Sequence, residues 1–481
     1  VAAGSQAAAQ AGATLLQAGG NAVDAAVAAA LAATVAEPGL ASLGGGGFLL
    51  ARTPDGAATV LDFFVDVPGI GAPLDAPAPS IVPVNIAFTD AEQVFYAGPG
   101  GMAVPGTLDG LVLAHQRLGR APLAEVVAPA RRLAREGTPA EPMQAAILGL
   151  LTEIFALTPE SAQVYLPGGR APMPGQPLAN PELADVFDAM AAGQVSRFAH
   201  LPGVTTALAR LATSPRSLSG ADLSRYAPQW REPLVVRRLG AVLRTNPPPS
   251  QGGTIVADAV TALDAPVGGT AADAVRVVEA LRDATQRAKR RSRSPLAVRG
   301  TTHVSVVDAD GGIASLTQSN GSCSGVLVPG TGVHLNNIMG EEDLHPAGLF
   351  RVLPGTRVGS MMSPSVLHLV DGTVVAFGSG GSERIRSALL AVVLGLVDRG
   401  LPVDDAVHAP RLHWDAAGVQ AEPPLPAEHV AALRALGPVT VWSAPDLYFG
   451  GVHVAARHDD GRVGAVGDPR RGGAAQVVTV A

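Results

Sequence analysis

The chain has 481 residues, of which 47% are hydrophobic and 16% charged, so it can bury a large core and is not a disordered polymer. Its 34 Lys and Arg against 41 Asp and Glu give a net charge of −7, which argues against a general nucleic-acid binder. A single cysteine excludes a disulfide framework or a zinc cluster within one chain.

The first stretch, Ala7–Ala36, reads as helix interrupted at Gly19-Gly20-Asn21, a stop followed by a cap. Four glycines, Gly44–Gly47, then run into an apolar strand. They predict close backbone approach rather than a phosphate loop, since no Lys-Ser/Thr follows. Thr59–Phe64 reads as a strand, 67–105 as irregular Pro/Gly-rich chain, and 106–215 as mainly helical. Leu234–Arg244 is a predicted strand, followed by helices near Thr254–Leu263 and Ala272–Arg287. Residues 282–299 are the most basic part of the chain. Without interleaved aromatics they read as a solvated helix end and linker, not a nucleic-acid patch.

After Gly300 the pattern turns to strands. Val304–Asp308 and Ile313–Thr317 flank a turn at Asp310-Gly311-Gly312, and strands recur at Ser365–Leu369 and Val374–Phe377. A helix at Ile385–Asp398 precedes a hairpin turning at Asp459-Asp460-Gly461. The apolar windows Ala22–Ala36 and Ala388–Val397 are shorter than the ~20 residues a membrane span needs. The order of elements fits a layered α+β fold. The expected compartment is the cytoplasm, with a removed N-terminal signal as the alternative, and no metal or other cofactor is expected.

Three sites compete for the chemistry. Gly321-Ser322-Cys323-Ser324-Gly325 is a cysteine analogue of the esterase elbow, but strand and turn residues follow it where an elbow needs a helix. Glu341-Glu342-Asp343 with His345 is a tight acid and histidine cluster, but it lacks the helical spacing that puts two ligands on one face. The third is Gly300-Thr301-Thr302-His303. If the chain is cut before Thr301, the new α-amine, with an ordinary pKa of ~7.7–8, becomes a base beside the hydroxyl.

Several ordered motifs favour the third. They are Gly19–Ala26, Gly44–Phe48, Val104-Pro105-Gly106, Thr301–Asp308, Gly332–Asn337, Met362-Ser363-Pro364, Gly378–Gly381 and Ala409–His413. In these the chain resembles the gamma-glutamyltranspeptidase family of N-terminal-nucleophile hydrolases, over nearly its whole length. The resemblance implies a four-layer αββα sandwich and self-cleavage between Gly300 and Thr301. It implies a large subunit 1–300 ending in a basic arm and a small subunit 301–481, paired as a heterodimer within one composite domain. It implies Thr301 as nucleophile, Ser319 as the hydroxyl bonded to it, and Gly380 and Gly381 as the oxyanion-hole amides. Asn320 and Glu341 fall where the family contacts the substrate's α-amino group.

The carboxylate side departs from the family. Phe64 follows Asp62-Phe63 where an arginine is typical, Ser360-Met361 replaces a serine pair, and Ile338 replaces a glutamine. Losing a bidentate arginine removes a strong directional partner for a carboxylate. An amide or acyl small molecule without a free amino-acid head is therefore the expected substrate, with no nucleic-acid or membrane partner. Two alternatives are cleavage of a C–C bond in a pyrroline-type acid, as in antibiotic-biosynthesis branches of the family, and a non-catalytic scaffold.

Overall fold

Residue chemistry fixes the first helices. In the computed structural model, which describes all residues except 74, 88–91, 293–299, 342–343, 346–347, 416 and 480–481, Gly19 turns the chain with φ 86° after the helix Gln6–Gln17. Asn21 Oδ1 then accepts the N–H groups of Val23 and Asp24 at 3.0 Å each, while the Asp24 carboxylate accepts from Asn21 N at 2.9 Å. This reciprocal cap starts the helix Ala22–Ala36, which is buried at every position. Its alanines let neighbouring backbones approach closely, and the chain's shortage of rings costs it little packing.

Two antiparallel sheets follow from the strand pairings. The seven-stranded sheet runs Ala474–Ala475, Ala2–Ala3, Thr302–Val307, Ile313–Ser319, Gly46–Arg52, Ala58–Phe63 and Gln229–Arg231. The six-stranded sheet runs Val463–Val466, Gly451–Arg457, Val374–Gly380, Ser365–His368, Ala241–Thr245 and Leu234–Arg238. They face one another through Leu50, Val60, Val307, Ile313, Val366, Ala376 and Ala455. Helices Gln6–Gln17, Ala22–Ala36 and Leu123–Glu136 cover the first sheet's outer side. Gln251–Ala262, Ala271–Ser292 and Arg384–Val397 cover the second. The layers are helix, sheet, sheet, helix, as expected.

Two regions differ from the sequence reading. The segment expected to be irregular, 67–105, contains a hairpin of Val82–Ala87 paired with Glu92–Ala97. Pro83 argues against a strand, yet in a two-stranded ribbon its missing N–H can face outward. Val84, Ile86 and Phe95 are buried. The single strand expected at Leu234–Arg244 is a hairpin, turned by Leu239 at φ 47° and Gly240 at φ 86°. The basic helix extends to Ser292, and the rest of the expected processing arm, 293–299, lies outside the described residues. No helix among the described residues is long and apolar enough to cross a membrane.

Candidate active site

Each sheet delivers one half of the site. Thr301 is buried and immediately precedes the strand Thr302–Val307 in the middle of the seven-stranded sheet. The pairing of Thr302 with Gln318 brings Ser319, the last residue of the next strand, alongside it. Ser319 Oγ donates to the Gly300 carbonyl oxygen at 2.5 Å and accepts the Gly321 N–H at 3.0 Å. The accepted bond leaves the hydroxyl proton aimed at the Gly300 carbonyl, which it polarises. Gly300 itself has no room for a side chain: a Cβ there would lie 2.6 Å from both the Gly321 and Gly39 carbonyl oxygens.

The six-stranded sheet contributes Gly380 and Gly381. A Cβ on Gly380 would lie 2.1 Å from the Thr301 carbonyl oxygen and 3.4 Å from Arg471 Nη1. Gly381 at φ 117° and Ser382 at φ 50° turn the strand Val374–Gly380 into the helix Arg384–Val397. Close approach at one glycine and left-handed backbone at the next explain the pair.

A small cleft opens at Thr301. Phe64, Ser319, Ile338, Glu341, Ser360 and Met361 line it, joined by Leu344, Met362, Ser382 and Ile385. None of these is a lysine, arginine or histidine. Phe64 stacks on Phe48 with ring centroids 5.6 Å apart. Behind it, Arg357 Nη1 donates to the Phe64 carbonyl at 2.6 Å, and the guanidinium pairs with Asp62 at 3.1 Å and Asp66 at 2.8 Å. An arginine is thus close to position 64, but its charge is committed to two acids away from the cleft. Burial pushes the Asp66 carboxyl up to about 6, against the opposing pull of Arg357.

The structure brings Thr301, Ser319, Phe64, Glu341, Ser360 and Met361 to one cleft, with Gly380 and Gly381 packed against Thr301. It does not bring Asn320 into the lining. The Asn320 side chain donates to Cys323 Sγ at 3.4 Å, and it is the neighbouring Gly321 whose Cβ would meet Glu341 Oε1 at 2.6 Å.

The rival sites recede. Cys323 is buried, donates to the Pro38 carbonyl at 3.2 Å, and burial pushes its thiol up to about 12. No helix follows it; the next element is the two-residue strand Leu327–Val328. His345 Nε2 is bonded to the Ile338 carbonyl at 2.9 Å, and Glu342 and Asp343 lie outside the described residues. No group of three or more His, Cys, Asp or Glu residues suited to a metal occurs among the described residues. His303 is held between Thr317 Oγ1 and Ser305 Oγ at 2.8 Å each, and burial drives its pKa well below the ordinary value. It shapes the strand. Sequence reading missed Leu344, Met362, Ser382 and Ile385 in the lining. Ser382, next to the Gly380-Gly381 turn, and Met362, in the motif after Ser360-Met361, carried a local signal, whereas Leu344 and Ile385 did not.

The four-layer architecture is that of the N-terminal-nucleophile hydrolases. A cephalosporin acylase from Bacillus halodurans superimposes with a TM-score of 0.82 at 25% identity, covering 99% of this chain and 96% of that one. The gamma-glutamyltranspeptidase family model matches residues 8–294 and 272–478, and the chain belongs to that family. It is 31% identical to the Acylase ACY 1 proenzyme of Pseudomonas sp. (strain V22), over 94% of this chain and 88% of that protein. It is 28% identical to the Glutathione hydrolase proenzyme of Pseudomonas sp. (strain A14), over 84% and 79% respectively. The chain is therefore an enzyme of the hydrolase and acyltransferase type rather than a scaffold.

Proposed function

We propose that this enzyme matures by cutting its own chain before Thr301 and then uses the freed threonine on an amide or acyl substrate other than glutathione. The observation that carries this reading is the bond from Ser319 Oγ to the Gly300 carbonyl, beside a cleft with no lysine, arginine or histidine among its described lining residues.

In maturation, Thr301 Oγ attacks the Gly300 carbonyl carbon. The C–N bond to Thr301 breaks, its nitrogen takes up the hydroxyl proton, and an ester links Gly300 to Thr301 Oγ. Ser319 steadies the charge on the carbonyl oxygen during the attack. Water then splits the ester, leaving Gly300 as a carboxylate and Thr301 with a free α-amine.

In turnover, that amine accepts the Thr301 hydroxyl proton as Oγ bonds to the substrate's acyl carbon. The Gly380 and Gly381 amides receive the oxyanion, an interaction of the kind whose loss costs ~10²–10³ in rate per donor. The ammonium returns its proton to the leaving amine, and water or a second amine releases the acyl group.

Specificity follows from the lining. A free carboxylate set against Phe64, Met361 and Ile338 would lose hydration without gaining a cation. Gamma-glutamyl anilides are therefore expected to be poor substrates. Restoring arginine at 64 alone should help less than changing 64, 361 and 338 together to the family-typical residues.

Denaturing electrophoresis with N-terminal sequencing tests the maturation step: the smaller fragment should begin Thr-Thr-His-Val, and Thr301→Ala should stay whole. A competent preparation that remains one chain would overturn the reading. Ordinary turnover of gamma-glutamyl substrates would overturn the specificity part alone.

A further inference from the structure

The space between the two sheets has a second end, opposite Thr301. Ser319 stands beside Thr301, and Ile313 closes the other end of the same strand, about 20 Å away at ~3.4 Å per residue. Strand register places four basic side chains on the inner faces there. Arg52 stands opposite Ile313, which belongs to the core between the sheets. In the second sheet Arg457 and His368 both stand opposite Val374, and Arg244 stands opposite Val366. Val366 lies in the inter-sheet core and Val374 packs against it. Directly opposed residues share a face, so three basic groups of one sheet meet the one of the other above an apolar floor.

Among the described residues, Arg52, Arg244 and Arg457 make no ion pair. Arg52 Nη1 donates to the Gly311 carbonyl at 3.0 Å, and Arg457 Nε stands 4.0 Å from the point that a Cβ on the same glycine would occupy. Burial lowers the pKa of Arg52, and the charges of Arg244 and Arg457 lower it further. The acid that opposes them, Asp55, is exposed and accepts from Thr53 Oγ1 and Ala57 N in its own turn, at 2.5 and 3.2 Å. Burial, then the charges of Arg52 and Arg244, hold His368 down to about 4. Arg52 Nε and His368 Nε2 are buried atoms with no hydrogen-bond partner among the described residues. A single unpaired arginine at a surface is solvated and asks for nothing. Basic groups that converge and repel one another, with two buried nitrogens left unmatched, are a cluster that lacks its anion.

We infer that this end of the sandwich binds a small, multiply charged oxyanion of the phosphate class, held by Arg52, Arg244 and Arg457 with His368 beside them. Such an ion offers acceptor oxygens to several guanidinium groups at once and cancels the repulsion between them. All four side chains are partly exposed, so an ion reaches them from solvent. Packed sheets stand about 10 Å apart, which suits a single ionic group rather than the surface of a folded partner. Arg52 and Arg244 belong to residues 1–300, His368 and Arg457 to 301–481. The bound ion would therefore tie together strands on both sides of the proposed cut. The inference does not rest on the chemistry at Thr301.

The test is titration calorimetry and thermal unfolding of the full-length protein with inorganic phosphate, at ionic strength held constant with sodium chloride so that general screening is equal throughout. One phosphate should bind per chain with a Kd of about 1 mM or tighter, and about 50 mM phosphate should raise Tm by about 2–4 °C. Arg244 and Arg457 make no side-chain hydrogen bond among the described residues, so replacing either removes charge without stranding a partner. Arg244→Gln and Arg457→Gln should each weaken phosphate by about tenfold or more. Arg170→Gln, a change at an exposed arginine outside the cluster, should leave the affinity as it is. Sulfate should compete with phosphate, and nitrate at the same ionic strength should not.

No saturable binding below about 10 mM phosphate overturns the inference. So does binding that survives both Arg244→Gln and Arg457→Gln, which would put the ion elsewhere on the protein. Equal displacement by nitrate would reduce the effect to screening and overturn it as well. Both readouts are of binding, so they hold whatever substrate the enzyme takes.

Discussion

In the proposed self-cleavage Ser319 is the residue to test first, because among the described residues its hydroxyl is the side-chain group bonded to the Gly300 carbonyl. Ser319→Ala should slow conversion of freshly folded precursor by ~10² or more, read as the half-time of band conversion, while Ser319→Thr retains most of the rate. Cleavage of Ser319→Ala at the native rate would remove this residue from the mechanism. Glu37 offers a separate test at the same scale. It is buried beside Ser5, whose Oγ donates to it at 2.7 Å, and burial raises its carboxyl to about 7, with the nearby Thr302 and Ser5 hydroxyls opposing. The folded value lies above the ordinary 4.5, so the folded state holds the extra proton. The stabilising effect of that proton is complete below 4.5, declines as pH rises and is lost through about 7. It is worth about 3 kcal/mol at most. Glu37→Gln should therefore flatten the fall in urea stability between pH 5 and pH 8, measured against the same Thr301→Ala background. The buried histidines titrate in both proteins and drop out of the comparison. An unchanged slope would mean that Glu37 ionises normally.

Among the elements, the helix Ala22–Ala36 depends on one carboxylate. Asp24 is fully buried and accepts N–H groups from Asn21, Arg120 and Ala121 at 2.9–3.0 Å, with His115 Nε2 at 3.7 Å. Asp24→Ala leaves three partly buried N–H donors without their carboxylate and should cost about 3 kcal/mol in urea unfolding of the uncut chain. A loss under about 1 kcal/mol would show that water replaces the carboxylate. This cap was readable in the sequence because Asn21 and Asp24 are three residues apart. So were the strands around Thr301, where alternation and a Gly-rich turn act within a few residues. The hairpin at Val82–Ala97 was not, because Pro83 breaks the local rule and only burial of Val84, Ile86 and Phe95 against distant helices restores it. The candidate site divides in the same way. Thr301 and the Gly380-Gly381 pair sit in recognisable motifs, whereas Leu344 and Ile385 belong to none and reach the cleft only through the fold.

At the scale of the whole molecule, the proposed cut severs one peptide bond but neither sheet. Residues 1–300 supply four strands of the first sheet, Ala2–Ala3, Gly46–Arg52, Ala58–Phe63 and Gln229–Arg231, interleaved with Thr302–Val307, Ile313–Ser319 and Ala474–Ala475. The second sheet joins Leu234–Arg238 and Ala241–Thr245 to four strands from beyond residue 301. Backbone ladders such as Ile313–Ser319 on Gly46–Arg52 therefore cross between the two products, as do the buried pairs of Arg357 with Asp62 and Arg238 with Asp398. The interface is a domain core divided by its chain, so separating the halves means unfolding both. Surface charge contributes little to it, and screening at 1 M salt, where the Debye length is ~3 Å, should not loosen it. The mature fragments should co-elute from a sizing column as one species at low and high salt alike. They should part only across the same urea range in which circular dichroism reports loss of sheet and helix. Separation of folded halves by salt alone would contradict the shared-sheet architecture, and loss of the small fragment on dilution without unfolding would do the same.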